Sequence, residues 1–441
     1  MSPRARTTVD RAPTYRDEDL QALQRNTFQY FWQETNPSNG LIPDNTSADG
    51  IPVSIAGVGL SLSSYPVGVE RSFVTRAQAV ARTLTTLRFL WNAPHGPMPD
   101  ATGHQGFFYH FLDVTTGRRM WRSELSTIDT TILIAGALTA AAYFDRETDD
   151  EREVRSLADA LYRRVDWQWA RNGQATVSHG WKPETGFLRY HWQGYNEALM
   201  LYVLGLGSPT HPLPRTSYLA WTSTYRWKRL YGQEFLYGAP LFMHQLSHLW
   251  VDFRGIQDAF MRRHAIDYFE NSRRATYVNQ QYAIRNPKNF RDYGEYTWGI
   301  TASNGPGPAT RRVRGVTRRF LGYVARGVPH GPDDGTLAPW AVAASLPFAP
   351  EIVLPTLQHC STAYPKMNSE YGLVCSFNPT FPSRARGSSG WISPNHFALD
   401  QGPVILMIEN YRSGLIWRLM RSCRFVAVGL RRAGFKGGWL T

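Results

Sequence analysis

The spacing of apolar residues constrains this chain most, because it is helical along nearly all of the 441 residues. A convincing β pattern occurs only in short aromatic pieces, at 106–113 and 186–192. Loops of very unequal length join the helical runs, which is typical of paired antiparallel helices wound into a ring. We therefore predict an all-α fold, a single (α/α)6 barrel (toroid) with long aromatic-rich loops at its active-site end. The predicted helical segments are 17–33, 75–92, 126–144, 150–170, 196–206, 217–230, 239–249, 258–284, 338–345, 350–364 and 402–424.

The chain contains no Pro- and Ser-rich linker that would divide it into domains. Residues 1–16 are predicted to form a flexible N-terminal tail, and residues 17–441 are predicted to form the barrel domain. The Gly- and Pro-dense piece at 303–315 is interpreted as a long active-site loop rather than a linker.

The formal net charge is +13, and much of the excess lies in two arginine-rich stretches, 311–319 and 418–436. Such a balance could favour nucleic acid or an anionic membrane, but no nucleic-acid-binding motif accompanies it, so we interpret both stretches as solvated faces. The N-terminus lacks the apolar core of a signal peptide, and no apolar run is long enough to span a bilayer. We expect no nucleic-acid partner, no membrane span, and a cytoplasmic location, or a periplasmic one if a leader was removed.

Motifs for metal, cofactor or serine-nucleophile chemistry are missing. Cys360, Cys375 and Cys423 are widely spaced without a CxxC, which indicates neither a zinc knuckle nor a disulfide framework. His244 and His248 stand at i, i+4, but without HExxH we interpret them as core or cleft histidines. GxSxG, Walker A and dinucleotide fingerprints are absent as well. We therefore predict no metal site and no cofactor.

Three acidic residues, Asp129, Glu197 and Asp400, each stand at the start of an apolar helical run. If those helices point the same way, the three carboxylates converge at one mouth. Each also has a purely structural explanation, because Ser126 and Asp129 match a capping box, Asn196 is a natural N-cap, and Asp400 could cap its own helix. The prediction of a common site therefore depends on the position that the three share.

The electrostatics of a helix N-terminus favour an ionised carboxylate, which suits a general base and opposes a general acid. Glu197 follows the aromatic stretch 179–195. For it to hold a proton, desolvation and repulsion from Asp129 or Glu124 must outweigh the helix dipole. Carboxylates in an aromatic-lined cleft are the arrangement that a carbohydrate-cleaving site uses.

Long ordered motifs across residues 20–440 resemble those of the bacterial glycoamylase-like family. They include RSELSTIDTTILIAG, GWKPETGFLRYHWQGYNEALMLYVLGLGSPTHPLP, PLFMHQLSHLWVDFRGIQDAF, YGEYTWGITASNGPGP and DQGPVILMIENYRSGLIWRLMR. The resemblance implies an (α/α)6 barrel that acts on β-1,2-linked glucans, as endo-β-1,2-glucanases and sophorose-releasing enzymes do. The family name does not by itself establish α-1,4 activity.

The resemblance also implies roles for single residues. Glu197 of the YNEA motif is the candidate general acid of an inverting mechanism, Glu124 and Asp129 are acidic pocket residues of the ELSTIDT motif, and Asp400 of the DQGP motif is a candidate base. Two departures bear on these roles: Asn304 follows WGITAS where an aspartate is expected, and some relatives have asparagine in place of Asp400. Further candidates for substrate binding are the rings of Trp121, Trp181, Tyr190, Tyr195 and Trp298 for stacking and the side chains of His179, Arg189, Asp252 and Arg254 for hydroxyl contacts.

Three alternatives to hydrolysis stay open from the sequence. A transglycosylase or cyclising β-1,2-glucan-processing enzyme would pass the glucosyl unit to another sugar, and a non-catalytic glycan-binding barrel would only hold the chain. Association with nucleic acid or a membrane surface is the weakest of the three. The expected partner is a β-glucan oligosaccharide or polysaccharide, and the oligomeric state is left open.

Overall fold

The computed structural model describes residues 15–47, 52–382 and 390–441, which contain fourteen α-helices and only short strands. The protein is therefore helix-rich. Of the predicted tail, residues 1–14 lie outside the described residues. The helices are α1 Asp17–Gln33, α2 Ile55–Glu70, α3 Arg76–Asn92, α4 Thr127–Tyr143, α5 Asp149–Arg164, α6 Leu199–Gly207, α7 Arg215–Thr222, α8 Ala259–Arg263, α9 Tyr268–Arg285, α10 Pro339–Ala343, α11 Pro350–Ala363, α12 Ala398–Arg412, α13 Leu415–Ser422 and α14 Arg424–Ala433.

The seventeen described strands have two to five residues each and pair antiparallel. Seven of the eight sheets have two strands, and the eighth has the order β5-β6-β7. The strands are β1 Pro52–Ser54, β2 Gly103–His104, β3 Phe107–Phe108, β4 Phe111–Asp113, β5 Leu125–Ser126, β6 Gly180–Lys182, β7 Gly186–Phe187, β8 Trp227–Leu230, β9 Gln233–Leu236, β10 Ala302–Ser303, β11 Ala309–Val313, β12 Val316–Phe320, β13 Val324–Ala325, β14 Asn368–Ser369, β15 Gly372–Leu373, β16 Phe377–Asn378 and β17 Trp391–Ile392.

Several predicted segments differ from the observed ones. The helix predicted at 258–284 is two helices, α8 and α9, and the one predicted at 402–424 begins earlier and is the three helices α12 to α14. The segment 239–249 forms two 3-10 turns, and 217–230 ends its helix early and continues into β8. The predicted loop at 303–315 contains β11, which pairs with β12 as a hairpin. Local periodicity does not locate such breaks within an apolar run.

Helix α2 was not predicted, because its residues 55–68 are all buried and it carries no polar stripe. It packs directly on α4 through two glycines. A Cβ on Gly136 would lie 2.0 Å from the carbonyl oxygen of Gly59, and one on Gly59 would lie 2.3 Å from that of Ile132. The backbones of α2 and α4 are therefore in contact, and only glycine fits between them.

Helices α1, α3 and α12 also contact α2, and helices α5, α6 and α13 contact α4. Helix α12 packs against α1, α2 and α10, and α14 packs against α6. The site described below lies at the N-terminal ends of α4 and α12 and at the entry to α6, next to residues of β4 and β10. Within the described ranges, no helix combines the length and the hydrophobicity needed to cross a membrane.

Candidate active site

A cavity of about 540 Å³ lies where α4 and α12 begin and where the chain enters α6. Asp129, Glu197 and Asp400 all line it, so the structure brings together the three carboxylates that the sequence predicts to converge. Apolar and aromatic side chains form much of the remaining wall. The other lining residues include Asp44, His110, Phe111, Phe242, Asn304, Tyr323, Trp340, Cys375 and Phe397.

Asp129 belongs to the first turn of α4. Its backbone N–H donates to the Ser126 hydroxyl oxygen at 3.2 Å, and that hydroxyl is hydrogen-bonded to Asp129 Oδ2. The predicted cap is therefore present, and the same carboxylate also faces the cavity. Structural and functional explanations do not exclude each other here, because the helix end that needs the cap also forms the cavity wall.

Asp400 does not cap its helix. Helix α12 begins at Ala398, so Asp400 is the third helical residue, and the N-cap position is occupied by Phe397 without a side-chain cap hydrogen bond. Asp400 is 6% exposed, and its Oδ2 atom has no hydrogen-bond partner among the described residues. Burial raises the pKa of Asp400 well above its usual range, although a hydrogen bond from the Cys375 thiol opposes this shift.

Glu197 lies in a turn two residues before α6. Its backbone is held in place by Ser247, whose hydroxyl donates to the Glu197 carbonyl at 3.1 Å and accepts from the N–H of Met200 at 3.1 Å. The carboxylate is less constrained, since its Oε2 atom is buried without a hydrogen-bond partner in the described chain. Burial, with a smaller contribution from the negative charge of Asp129, raises the pKa of Glu197 to about 7.

His110 connects two of the acidic residues and was not predicted. Its Nδ1 lies 2.9 Å from Glu124 Oε1, and its Nε2 lies 3.7 Å from Asp129 Oδ2. Burial lowers the pKa of His110, but the charges of Asp129 and Glu124 outweigh it and raise that pKa to about 9. Burial would raise the pKa of Glu124, yet the hydrogen bond and charge of His110 outweigh it and lower that pKa to about 2. Glu124 is therefore an ionised carboxylate behind His110, and it does not line the cavity.

The sequence contained a signal for His110, because it lies in the aromatic β segment predicted at 106–113. Strand β4 begins one residue later, and the ring of Phe111 stacks on that of His110 with 4.0 Å between centroids. Asp44 and Cys375 carry no comparable signal. Asp44 is half-buried at the cavity, where burial raises its pKa.

Trp121 and Trp181 lie in the loops around this cavity. The ring of Trp121 is 64% exposed and packs against that of Phe111 at 5.3 Å, which leaves a face open at the rim. Trp181 pairs with Leu125 between β6 and β5, and its ring contacts Trp169 at 5.8 Å. His179 is stacked on Trp192 at 3.9 Å. His179 and Trp181 thus support the aromatic loop and do not line the cavity.

Two of the predicted stacking residues, Trp298 and Tyr195, lie elsewhere. Trp298 is 1% exposed and donates from its indole nitrogen to the Thr356 hydroxyl at 2.8 Å, so it has no face open for a sugar. Tyr195 is buried, with its ring stacked on Tyr268 at 5.9 Å. The rings of both residues are used in core packing, and neither lines the cavity.

Asp252 and Arg254 form a structural ion pair. Arg254 donates to both Asp252 oxygens, at 2.8 and 2.7 Å, and Arg421 also bonds the carboxylate. The Asp252 side chain is fully buried, so its charge is satisfied by these two arginines and not by a ligand. Arg189 and Tyr190 line a different depression on the surface.

The two histidines at helical spacing are core residues. His244 Nε2 donates to the Gly238 carbonyl at 3.1 Å, and His248 Nε2 is 3.0 Å from the Ser272 hydroxyl. Burial lowers the pKa of both. Among the residues that the structure describes, no group of three His, Cys, Asp or Glu side chains could hold a metal ion.

The chain was compared with known protein families. A family model for glycoamylases, described as "Putative glucoamylase", matches residues 189–424, which is more than half of the chain and includes Glu197 and Asp400. The chain belongs to the glycoamylase family. The resemblance seen in the sequence motifs is thereby confirmed.

Individual relatives of this glycoamylase-family chain are known by activity or structure. It is 29% identical over 459 aligned residues to an exo β-1,2-glucooligosaccharide sophorohydrolase of Parabacteroides distasonis, an alignment that covers 96% of this chain and 59% of the relative. This chain thus spans about three-fifths of that relative's length.

Two solved structures extend over the whole fold. A Bacteroides uniformis structure, described in the same words as the family, is 31% identical with a TM-score of 0.85 and covers 98% of this chain and 100% of its own. An endo-β-1,2-glucanase from Chitinophaga pinensis, in complex with sophorotriose and glucose, is 28% identical with a TM-score of 0.83. The match covers 97% of this chain and 100% of the glucanase chain.

Proposed function

We propose that this protein is a glycoside hydrolase that cleaves β-1,2-glucan or sophoro-oligosaccharides by inversion, on an (α/α)6 scaffold. The substrate class is supported by the two relatives whose activities are known, one releasing sophorose units and one cutting β-1,2-glucan internally. The scaffold is supported by the helix-rich fold and its likeness to the solved family members. The chemistry is supported by the carboxylates that share one cavity.

The place of the Glu197 carboxyl in the cavity, with a buried and unpartnered Oε2 atom among the described residues, is the observation that carries the proposal. A general acid must hold a proton at neutral pH and must reach the leaving oxygen. Burial brings the pKa of Glu197 to about 7, and its Oε2 atom has no protein partner among the described residues that would compete for the substrate. In the proposed step, Glu197 donates its proton to the glycosidic oxygen while the bond to the anomeric carbon breaks.

Attack on the anomeric carbon needs a base on the opposite side, where inverting enzymes place a water molecule between two carboxyl groups about 6.5–9.5 Å apart. In a β-1,2-glucan, relay of the water's proton through a hydroxyl of the substrate itself lets the base act over a longer distance. Asp129 is the better candidate, because it has the Ser126 hydroxyl as a hydrogen-bond partner and the positively charged His110 ring 3.7 Å away. Both neighbours hold the Asp129 carboxylate in place at the cavity wall.

Asp400 fits the role of base less well. Burial raises the pKa of Asp400 well above its usual range, and a raised pKa favours the protonated form, which cannot accept another proton. We propose that Asp400 donates a hydrogen bond to a sugar hydroxyl through its unpartnered Oδ2 atom. The two aspartates can be separated by comparing Asp129→Asn with Asp400→Asn. We expect turnover to be lost with the first and substrate affinity to be weakened with the second.

The test uses linear β-1,2-glucan and sophoro-oligosaccharides alongside glucans of other linkages, with reducing ends as the readout. We expect cleavage of the β-1,2 substrates alone. Glu197→Gln should bind them and lose about 10²–10⁴-fold in kcat. Glu153→Gln, on the surface of α5, is the matched control and should keep wild-type turnover. NMR of the fresh product should show the α-anomer if the reaction inverts.

Three results would contradict the proposed function. Full activity of Glu197→Gln would take Glu197 out of the mechanism. Saturable binding without cleavage by the wild type would indicate a glycan-binding protein. Elongated or cyclic products would indicate transfer to a sugar in place of water.

A further inference from the structure

A second depression of about 550 Å³ lies on the surface, and it shares no lining residue with the central cavity. The chain from Phe187 to His191 forms one wall, and the segment from Asn172 to Thr176 forms the other. Its most prominent side chain is Tyr190, which is 57% exposed. The sequence motifs placed Arg189 and Tyr190 among the substrate contacts, and the structure separates both from the carboxylates.

The polar character of this depression indicates a neutral ligand. None of the described residues that line it is acidic, and Arg189 is its only lysine or arginine. That guanidinium is already engaged, because it lies 4.5 Å from the centre of the Tyr190 ring and bonds the Tyr190 hydroxyl. Exposed amides of Asn172, Gln174 and Gln193 supply further donors and acceptors. An anion would need cations that this surface does not offer.

An open tyrosine face surrounded by amides is suited to a sugar. The ring of a β-glucose unit carries axial C–H groups that pack on an aromatic face, while its equatorial hydroxyls bond the amides at the edge. Arg189 lies over one face of the Tyr190 ring and orients it, the His179 ring lies 6.2 Å away, and Tyr190 is still 57% exposed. The side chain is therefore arranged before a ligand arrives.

The backbone beneath Tyr190 is rigid and is tied to the catalytic end of the fold. The N–H of His179 donates to the Tyr190 carbonyl at 2.9 Å, and that of Trp192 donates to Val177 at 2.8 Å. The indole of Trp192 then donates to the Thr127 hydroxyl at 3.0 Å, in the first residue of α4, two residues before Asp129. A glycan held at Tyr190 is thus anchored to the same helix end that forms the central cavity.

We propose that this depression, built on Tyr190 and its surrounding amides, is a second glycan-binding site that holds a distant part of the polymer while the central cavity cleaves it. The inference rests on the proposed function for the identity of the polymer, a neutral β-glucan. It assigns the two sites different tasks. The central cavity contains four carboxyl groups, whereas the described residues that line the depression include none.

The test compares long linear β-1,2-glucan with the short chain sophorotetraose. In Tyr190→Ala we expect KM for the polymer to rise about three- to tenfold, the range that loss of one aromatic contact gives, with kcat unchanged. Neither constant should change for sophorotetraose. Tyr190→Phe keeps the ring face but loses the hydroxyl that bonds Arg189, and KM for the polymer should rise less than in Tyr190→Ala.

Two tyrosines serve as controls. Tyr411 is 41% exposed near the end of α12 that lies opposite Asp400, and Tyr411→Ala should change nothing. Tyr323 is 68% exposed but lines the central cavity, so Tyr323→Ala should weaken binding of both substrates. Equal losses on both substrates in Tyr190→Ala would make Tyr190 part of the central cleft and overturn the inference, as would no loss on either.

Failure of the proposed function would be seen separately, as intact polymer after incubation with the wild type. The depression would then be judged by calorimetric binding of the polymer alone. A higher Kd in Tyr190→Ala than in the wild type would support a binding site, and equal values would overturn it.

Discussion

Replacing Glu197 by glutamine should stabilise the protein above neutral pH and leave its stability nearly unchanged at pH 5. The pKa of Glu197 is raised from 4.5 to about 7 by burial. Between these values the folded protein holds a proton that the unfolded chain releases, so the free energy of unfolding falls as pH rises through this range. Each pKa unit corresponds to about 1.4 kcal/mol, which makes the loss about 3 kcal/mol once Glu197 is ionised.

Glutamine cannot ionise, so Glu197→Gln does not undergo this loss. At pH 5 the wild-type carboxyl is protonated and similar in shape to the amide, and the two proteins should unfold alike. At pH 8 the variant should be more stable by about 3 kcal/mol, or by about 3 °C in Tm for a chain of this length. Urea unfolding at both pH values, followed by fluorescence of the tryptophans, measures the difference.

Glu151→Gln provides the matched control with the opposite sign. Glu151 accepts two hydrogen bonds from Arg76, at 2.8 Å each, and these lower its pKa. Its contribution to stability is present above the unfolded-state value of 4.5, so this substitution should destabilise the protein to a similar extent at pH 5 and pH 8. If Glu197→Gln showed no gain in relative stability between the two pH values while Glu151→Gln behaved as described, the burial argument for Glu197 would be refuted.

Three further predictions concern other parts of the molecule. Gly136→Ala should cost more than about 2 kcal/mol in urea unfolding, because the new Cβ would lie 2.0 Å from the Gly59 carbonyl oxygen; an unchanged midpoint would contradict the close helix contact. His110→Gln should lower kcat, since the Asp129 carboxylate loses the imidazolium that lies 3.7 Å away, and an unchanged kcat would mean that the imidazolium does not act on the catalytic step. Asp252→Asn should lower Tm without raising KM, because the carboxylate binds Arg254 and Arg421 and not the substrate; a raised KM would count against that assignment.

Much of the helical framework could be predicted from the sequence. Helices such as α1 and α3 have one buried and one exposed side, and this produces a helical periodicity of apolar residues in the sequence. Helix α2 could not be found in the same way. Its neighbours cover it on all sides, so its residues are selected for burial and close approach rather than for a polar face.

The candidate site was predictable to a similar degree. Asp129, Glu197 and Asp400 could be chosen because each begins an apolar run, and the structure brings all three to one cavity. The same reasoning from motifs also selected Trp298 and Asp252, which are buried and bonded within the core. In the sequence, an aromatic or acidic residue whose side chain faces a ligand cannot be distinguished from one whose side chain faces a neighbouring helix.

The residue order was therefore sufficient for the kind of fold, for the family, and for a short set of acids that includes the three in the cavity. The role of each acid depends on groups that are distant along the chain. Glu197 has a raised pKa because packed side chains exclude water from it, whereas Glu124 has a lowered pKa because the chain returns His110 to within 2.9 Å. Desolvation and Coulomb energies depend on distances in space, which only the folded chain defines.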